Sequence, residues 1–274
     1  MMLNEFSREA IRQSGYLRDG FPDFYDANRL SPPDALLDAL VRYAGGGRLG
    51  VVVDLGSGTG LSARAWAERA VEVVGVEANE SMLAVAAART PQANVRYIAG
   101  FADDTGLEDD SADLVTCSQS FHWMEREPVL DEAARVLRPG GVFAAYDYDT
   151  PPVVHPQIDA AFLHHLKQRR RLRDEHKVAA GWTRTPKSSH LDVIRESGHF
   201  AHAREVVFHD EAEVAADRII GLARSLGLVS ELIALGATEE ELGLTALEET
   251  TRRVLGDRRV RWVVGYRVRL GVTQ

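Results

Sequence analysis

Along the middle of the chain, short unbroken apolar runs alternate with stretches in which apolar residues recur at helical spacing. The runs are 51–55 ("VVVDL"), 71–77 ("VEVVGVE"), 95–100 ("VRYIAG"), 112–120 ("ADLVTCSQS") and 141–148 ("GVFAAYDY"). Between them, helical patterns extend from about Leu61 to Arg69, Ser81 to Arg89 and Pro128 to Leu137. Strands with no polar alternation are buried on both faces, so this series predicts a parallel, doubly wound α/β sheet. Residues 4–43 read as helical, with Leu36, Leu37, Leu40 and Val41 spaced for one face behind a proline pair, and "AGGGRLG" breaks that pattern at 44–50. After 150 the pattern changes. Residues 151–200 read as a helical insertion, 203–208 ("AREVVF") as a sixth strand, 211–256 as helix-rich and 260–270 as a last strand.

Composition narrows the class. The chain has 274 residues, of which 45% are hydrophobic and 27% charged, as in a globular protein with one sizeable core. No run of 18 apolar residues is present, and the first residues lack an apolar signal core, which leads us to expect a cytoplasmic protein with no membrane partner. The single cysteine, Cys117, allows neither an internal disulfide nor a multi-cysteine metal site, and no metal is expected. A net charge of −9 disfavours nucleic-acid binding over the whole surface. One stretch runs against that balance: from His155 to His190 eight basic residues (Lys167, Arg169, Arg170, Arg171, Arg173, Lys177, Arg184, Lys187) face three acids, a net of +5.

The chemistry is concentrated after the first strand. In "DLGSGTG" the residues Gly56, Gly58 and Gly60 permit positive φ and let a ligand press against bare backbone, beside the free N–H groups of the helix that follows. Glu77 ends the next strand nineteen positions after Gly58, where a carboxylate accepts hydrogen bonds from both hydroxyls of a ribose. Together these point to an adenosine-containing cofactor. The spacing is not the G-x-G-x-x-G of a nicotinamide site, and an acid, Asp54, precedes it.

Here the sequence resembles the class I S-adenosylmethionine-dependent methyltransferases, whose first motif reads E/D-x-G-x-G-x-G. The resemblance runs on through "VVGVEANESMLAVAAART", "VRYIAGFADDTGLEDDSADLVTCSQSFHWM" and "VLDEAARVLRPGGVFAAYDYD". "FHWM" and "RVLRPGG" are similar to the small-molecule branch that includes trans-aconitate methyltransferase and the ubiquinone and menaquinone biosynthesis enzymes. It implies a seven-stranded, mostly parallel Rossmann-like sheet with an antiparallel closing strand. The implied organisation is an N-terminal helical lid (1–43), a cofactor-binding core (44–150) and a helical substrate cap carrying the last two strands (151–274).

The same resemblance implies S-adenosyl-L-methionine as cofactor and assigns its site. Asp54 would accept from the methionine amino group or from loop backbone, Gly56, Ser57, Gly58 and Gly60 would carry the methionine and sugar, and Glu77 with Ala78 would hold the ribose. Met82 would press on the adenine face or serve as plain core, and Phe101, Ala102 and Asp103 stand where relatives meet adenine. Ser118 and Gln119 close the cofactor end. Ser120, Phe121, His122 and Trp123 follow at the methyl-transfer face, where His122 would take a proton from the acceptor or orient it, with Trp123 either there or in the core. Tyr25, Arg29 and Pro33 match a lid segment that in this branch folds over cofactor and substrate; the alternative is an Arg29 paired with Asp23 or Asp26. The implied function is methyl transfer to oxygen, nitrogen or carbon of a small molecule by a monomer or homodimer. An RNA methyltransferase using the basic stretch and a non-catalytic regulator are the alternatives. An acidic acceptor would be drawn in by Arg29 and part of Lys167 to Arg173, unless that run lies outward with Arg170 paired to Asp174.

Overall fold

The computed structural model describes residues 20–177 and 185–274. Residues 1–19 of the N-terminal segment and Arg184 of the basic stretch therefore lie outside the described residues.

Within each central strand, neighbouring apolar residues point to opposite faces, and both faces are covered. Val52, Val73, Leu114 and Val142 join one buried cluster, while Val53, Val74, Val115 and Phe143, each the next residue along, join a second. This is why the strands read as unbroken apolar runs. The seven strands β1 (Leu49–Leu55), β2 (Ala70–Glu77), β3 (Val95–Ala99), β4 (Ala112–Ser118), β5 (Leu137–Tyr148), β6 (Phe200–Val214) and β7 (Val260–Thr273) form one sheet in the order β3-β2-β1-β4-β5-β7-β6. β7 runs antiparallel to both its neighbours, and the other pairings are parallel. The strand order reverses between β1 and β4, so their carboxyl ends open a crevice there, the place where open α/β sheets take ligands.

The helices are α1 (Phe21–Asn28), α2 (Asp34–Tyr43), α3 (Leu61–Trp66), α4 (Glu80–Arg89), α5 (Arg126–Val136), α6 (Pro156–Glu175), α7 (His190–Glu196), α8 (Ala216–Arg224), α9 (Val229–Ala234) and α10 (Leu244–Leu255). Leu36, Leu37 and Leu40 of α2, Trp66 of α3, Phe162 of α6, Ile219 of α8 and Leu247 of α10 pack in the first cluster. Val129, Leu130, Ala133 and Val136 of α5 and Ile194 of α7 pack in the second.

Several elements differ from the sequence pattern; β5 starts at Leu137 rather than 141 and β7 runs to Thr273 rather than 270. The helix expected over residues 4–43 is broken in its described part: Arg29 ends α1 in an extended conformation, and Pro32 and Pro33, which lack an N–H donor and disfavour a helical residue directly before them, keep the chain from resuming a helix until Asp34. The helix expected to reach Arg69 stops at Trp66, with Arg69 N–H donating to the Trp66 carbonyl as the chain turns into β2. The sixth strand spans Phe200–Val214 rather than 203–208, paired along its length with β7. Its second half, "HDEAEV", is polar because β6 is an edge strand, where solvent rather than a helix meets the side chains.

Gly60 has φ +84°, and a Cβ built on it would lie 2.1 Å from the Tyr97 hydroxyl. Gly60→Ala should therefore cost about 2 to 4 kcal/mol through backbone strain and overpacking, read from urea unfolding; a variant as stable as the parent would contradict this packing.

Candidate functional site

Asp54 ends β1 fully buried, accepting from Thr116 Oγ1 at 2.8 Å and Ser62 Oγ at 3.2 Å. The Ser62 hydroxyl lies 2.5 Å from the Tyr146 hydroxyl, which also receives Trp66 Nε1–H at 3.2 Å. Burial, offset only in part by these neutral hydrogen bonds, pushes the Asp54 carboxyl up to about 7. The glycine turn leaves this anchor. A Cβ on Gly56 would strike Met124 and Ser120, whereas the Cβ position of Gly58, at φ +56°, meets nothing within 4 Å.

That bare backbone opens into a cavity of about 570 Å3. At its wall Glu77 accepts the Gly58 N–H at 2.7 Å through Oε2 and the Asn79 N–H at 2.8 Å through Oε1. Burial raises its carboxyl, and these backbone donors oppose the rise. Asn79 also caps α4 by accepting from Met82 N–H, which sets Met82 against the cavity. Gly56, Ser57, Gly58, Ala78, Phe101, Ala102, Asp103, Ser118 and Gln119 line it too. Asp54 and Gly60 do not: both belong to the support beneath the turn, Asp54 behind Ser62 and Thr116, and Gly60 over Tyr97.

The same cavity is lined by Ser120, His122 and Trp123, and by Tyr25, Arg29 and Tyr148. Ser120 Oγ donates to the Leu55 carbonyl, tying the β4 exit to β1. His122 lies in a 3-10 turn, Phe121–Trp123, with Nδ1 3.6 Å from Asp147 Oδ1. Arg29 pairs with neither Asp23 nor Asp26, since those carboxylates hold Arg89 and Arg64 at 2.6 Å. Its guanidinium instead stands over the Tyr25 and Tyr148 rings, 4.7 and 5.3 Å from their centroids, a cation–π arrangement.

Within the basic run, orientation is uneven. On α6 the buried positions Ile158, Phe162, His165 and Leu172 form one stripe, and Arg169 falls on it, lining the cavity and donating to the Gly227 carbonyl at 3.1 Å. Arg170 is exposed, Arg171 pairs with Glu175, and Asp174 is held by Arg173 rather than by Arg170. The sequence reading missed Asp147, Lys187 as a wall residue and Glu231 of α9, whose carboxyl burial raises. The α6 stripe could have singled out Arg169, and the acid closing the apolar run of β5 could have singled out Asp147. Among the described residues no helix is long and apolar enough to cross a membrane.

Residues 53–145 match a family model described as a methyltransferase domain. An uncharacterized methyltransferase of Mycobacterium tuberculosis is 38% identical over 117 residues, 43% of this chain and 46% of that protein. A demethylmenaquinone methyltransferase of Clavibacter sepedonicus is 38% identical over 104 residues, 37% of this chain and 42% of that protein. The chain thus spans less than half the length of these curated relatives. A solved protein of Anaeromyxobacter dehalogenans, described as a type II methyltransferase, superimposes with a TM-score of 0.68 at 25% identity, covering 89% of this chain and 97% of that one.

The raised Asp54 carboxyl has a signed consequence. Between its ordinary value of 3.8 and about 7 the folded state keeps a proton that the unfolded state releases, so stability falls as pH rises through that window. Asp54→Asn removes this slope, and between pH 5 and pH 8 the parent should lose about 2 kcal/mol more stability than the variant. Urea unfolding at the two pH values measures it, and equal losses would refute the assignment.

Proposed function

Taking as premise that residues 53–145 are a methyltransferase domain in a class I S-adenosylmethionine-dependent methyltransferase fold, we propose that this chain methylates a small molecule that carries an anionic group. The observation that supports it is one cavity lined by open glycine backbone and Glu77 and also by the guanidinium groups of Arg29 and Arg169. The cofactor fits the glycine-lined part: the Gly58 backbone is unobstructed, and Glu77, held by two backbone N–H groups, is a fixed acceptor for ribose hydroxyls. Gly56, Ser57, Gly58, Glu77, Ala78, Met82, Phe101, Ala102, Asp103, Ser118 and Gln119 would hold it. When bound, S-adenosylmethionine supplies a methyl group made electrophilic by its sulfonium sulfur.

The work left to the protein is orientation, exclusion of water and proton removal. Ser120, His122 and Trp123 line the same cavity, beside the place where the methyl group would be presented. Tyr25 of α1 and Arg29, just beyond its end, would cover the acceptor, and orientation of this kind supplies roughly 7–11 kcal/mol of a bimolecular barrier. In a partly dry pocket a guanidinium acts on a carboxylate or phosphate with far more force than in water. Side chains of α1 and α9 wall the cavity, which supports a small acceptor rather than a macromolecule.

Calorimetry should give micromolar S-adenosylmethionine binding and no saturable NAD or NADP binding at like concentration. Glu77→Ala should weaken the former ten- to a hundredfold, as expected for losing charge-assisted hydrogen bonds. Unchanged affinity would remove the ribose assignment. For an acceptor found by screening with tritiated cofactor, Arg29→Met and Arg169→Met should each raise KM about tenfold or more, while Arg170→Met and Arg171→Met leave it unchanged. An acceptor indifferent to both wall arginines would end the anionic-handle reading.

A further inference from the structure

β6 ends the sheet, and the direction of its outer backbone groups follows from its pairing with β7. In an antiparallel pair, residues alternate between those that exchange N–H···O bonds with the neighbour and those whose N–H and C=O point to the other side. Val263 and Gly265 of β7 direct their backbone groups to the β5 side: Asp149 N–H donates to the Gly265 carbonyl at 2.7 Å, and Val153 and Val263 exchange bonds of 2.8 and 3.0 Å. The even-numbered residues of β7 therefore bond to β6, where they face Val206, Phe208, Asp210 and Ala212. The N–H and C=O groups of Glu205, Val207, His209 and Glu211 point outward. Two carbonyls of this odd-numbered series agree, since they meet side chains: Ala203 accepts from Arg195 at 3.5 Å and Glu213 from Arg259 at 2.6 Å. Between those two arginines, no strand of the described residues pairs with β6 on its outer side.

The side chains along this edge are self-complementary. Val207 is the midpoint of β6 and 57% exposed. When a second copy of β6 lies antiparallel to the first with Val207 opposite Val207, Arg204 of each copy faces Asp210 of the other, Glu205 faces His209, and Val206 faces Phe208. Like charges do not meet directly in this register. Centring the pair on Glu205, Phe208 or His209 instead sets Glu205 opposite itself, Glu211 or Glu213, which is destabilising, and centring it on Val206 gives up the Arg204–Asp210 pairs. Glu205 and Glu211 are already neutralised within the chain, by Arg269 at 2.7 Å and Arg261 at 3.3 Å. Among the described residues neither Arg204 nor Asp210 has an ion pair; Arg204 donates to the Tyr43 hydroxyl at 3.1 Å. Edges that stay unpaired are commonly blunted by lysine, proline or a bulge, and from His202 to Val214 β6 has none of these.

We propose that this edge is the interface of a homodimer, in which β6 pairs with β6 of a second copy about a two-fold axis at Val207 and joins the two seven-stranded sheets into one. Val207 opposite Val207, and Glu205 opposite His209 on either side of it, are the pairs that exchange backbone hydrogen bonds. Arg204 and Asp210 flank them on the face of the sheet where Arg204 meets Tyr43 of α2. A two-fold axis brings the same patch to both partners, so one register satisfies both copies at once. Arg195 and Arg259, bonded to the Ala203 and Glu213 carbonyls, bound the ladder at its two ends and keep it short. No residue of β6 lines the cavity that carries Glu77 and Arg29. The site is thus the same in one copy or two, and the inference stands apart from the methyltransferase reading.

Sedimentation velocity of the full chain over a concentration series tests the interface. The parent should reach twice the mass of one chain, with its midpoint in the micromolar range that suits a small contact. Val207→Pro removes an outward N–H that a single copy does not use, at the kind of position where an edge strand accepts proline. It should move the midpoint to about tenfold higher concentration or more, with the circular dichroism of the parent. Arg204→Glu and Asp210→Lys each set like charges opposite one another twice in the dimer, and each should weaken association about tenfold. Mixed in equal amounts, these two variants should associate about as tightly as the parent, because every like-charge contact is then replaced by an opposite pair. A parent that stays monomeric throughout the micromolar range overturns the proposal. So does a dimer indifferent to all three substitutions, or a mixture of the charge variants no tighter than either alone, and the charge variants decide the matter even if Val207→Pro does not fold.

Discussion

The hydrogen bonds of one buried carboxylate hold the cofactor end of the molecule together. Asp54 closes β1, takes Thr116 from β4 and Ser62 from α3, and through Ser62 reaches Tyr146 of β5 and Trp66. The two central parallel pairings, the first crossover helix and the next strand are thereby pinned at a single level of the sheet. Only against such an anchor can the following turn be built of glycine, whose backbone loses more freedom on folding than that of any other residue. The N–H groups of the turn are consequently fixed before a ligand arrives. That is preorganisation, and its cost is met in folding rather than in binding.

Two strands of this sheet end in a buried aspartate, and the surroundings push the two in opposite directions. Asp54 has only neutral donors, the Thr116 and Ser62 hydroxyls and the Ala63 N–H, and rises to about 7; Asp147 has His122 and the Lys187 ammonium beside it and falls. Desolvation is the same in kind at both positions, so the neighbours, neutral donors at one and His122 with the Lys187 ammonium at the other, decide the outcome. A carboxyl poised near neutrality suits a structural knot that can tolerate a proton. One that stays ionised suits an ionic tie to the segment at Lys187. The division of labour follows from what lies beside the end of each strand: α3 with its serine for β1, and His122 with the segment at Lys187 for β5.

The floor of the site was legible in the sequence for a local reason. From Asp54 to Gln119 every element is a strand followed by its own crossover, so residues at successive strand ends fall on one edge, and spacing alone brings Gly58, Glu77, Phe101 and Ser118 together. Spacing is less informative where neighbours in sequence are divided by packing. Asp54 and Gly60 carry the motif yet stand behind the wall, because one meets hydroxyls and the other a tyrosine from β3. Charge in the basic run was evident, but its direction was not. Only the seating of Ile158, Phe162, His165 and Leu172 against the core turns Arg169 inward and leaves Arg170 in solvent. The length of β6 was hidden because an edge strand facing water need not carry the apolar signal that marks a buried one.

The acceptor end is assembled from distant pieces: α1, the end of β5, α6, the segment at Lys187 and the α8–α9 region. Nothing in their spacing predicts their meeting, since each arrives by packing on a different element. The strength of their attachment also differs. α6 is seated through buried apolar side chains in the main core, whereas α1, which buries Phe21 and Pro22, and the turn after it also make several polar contacts. These are Arg64 to Asp26, half-exposed Arg89 to Asp23, Arg218 to the Arg29 carbonyl and Tyr266 to the Ser31 carbonyl. Each such contact contributes about 0.5–1.5 kcal/mol, and an exposed ion pair less. Burying one leucine fully contributes roughly 1.5–3 kcal/mol. Among the described contacts, α1 is thus tied to its neighbours by individually weaker interactions than those that seat α6, so two parts of one cavity wall are held by different physical means.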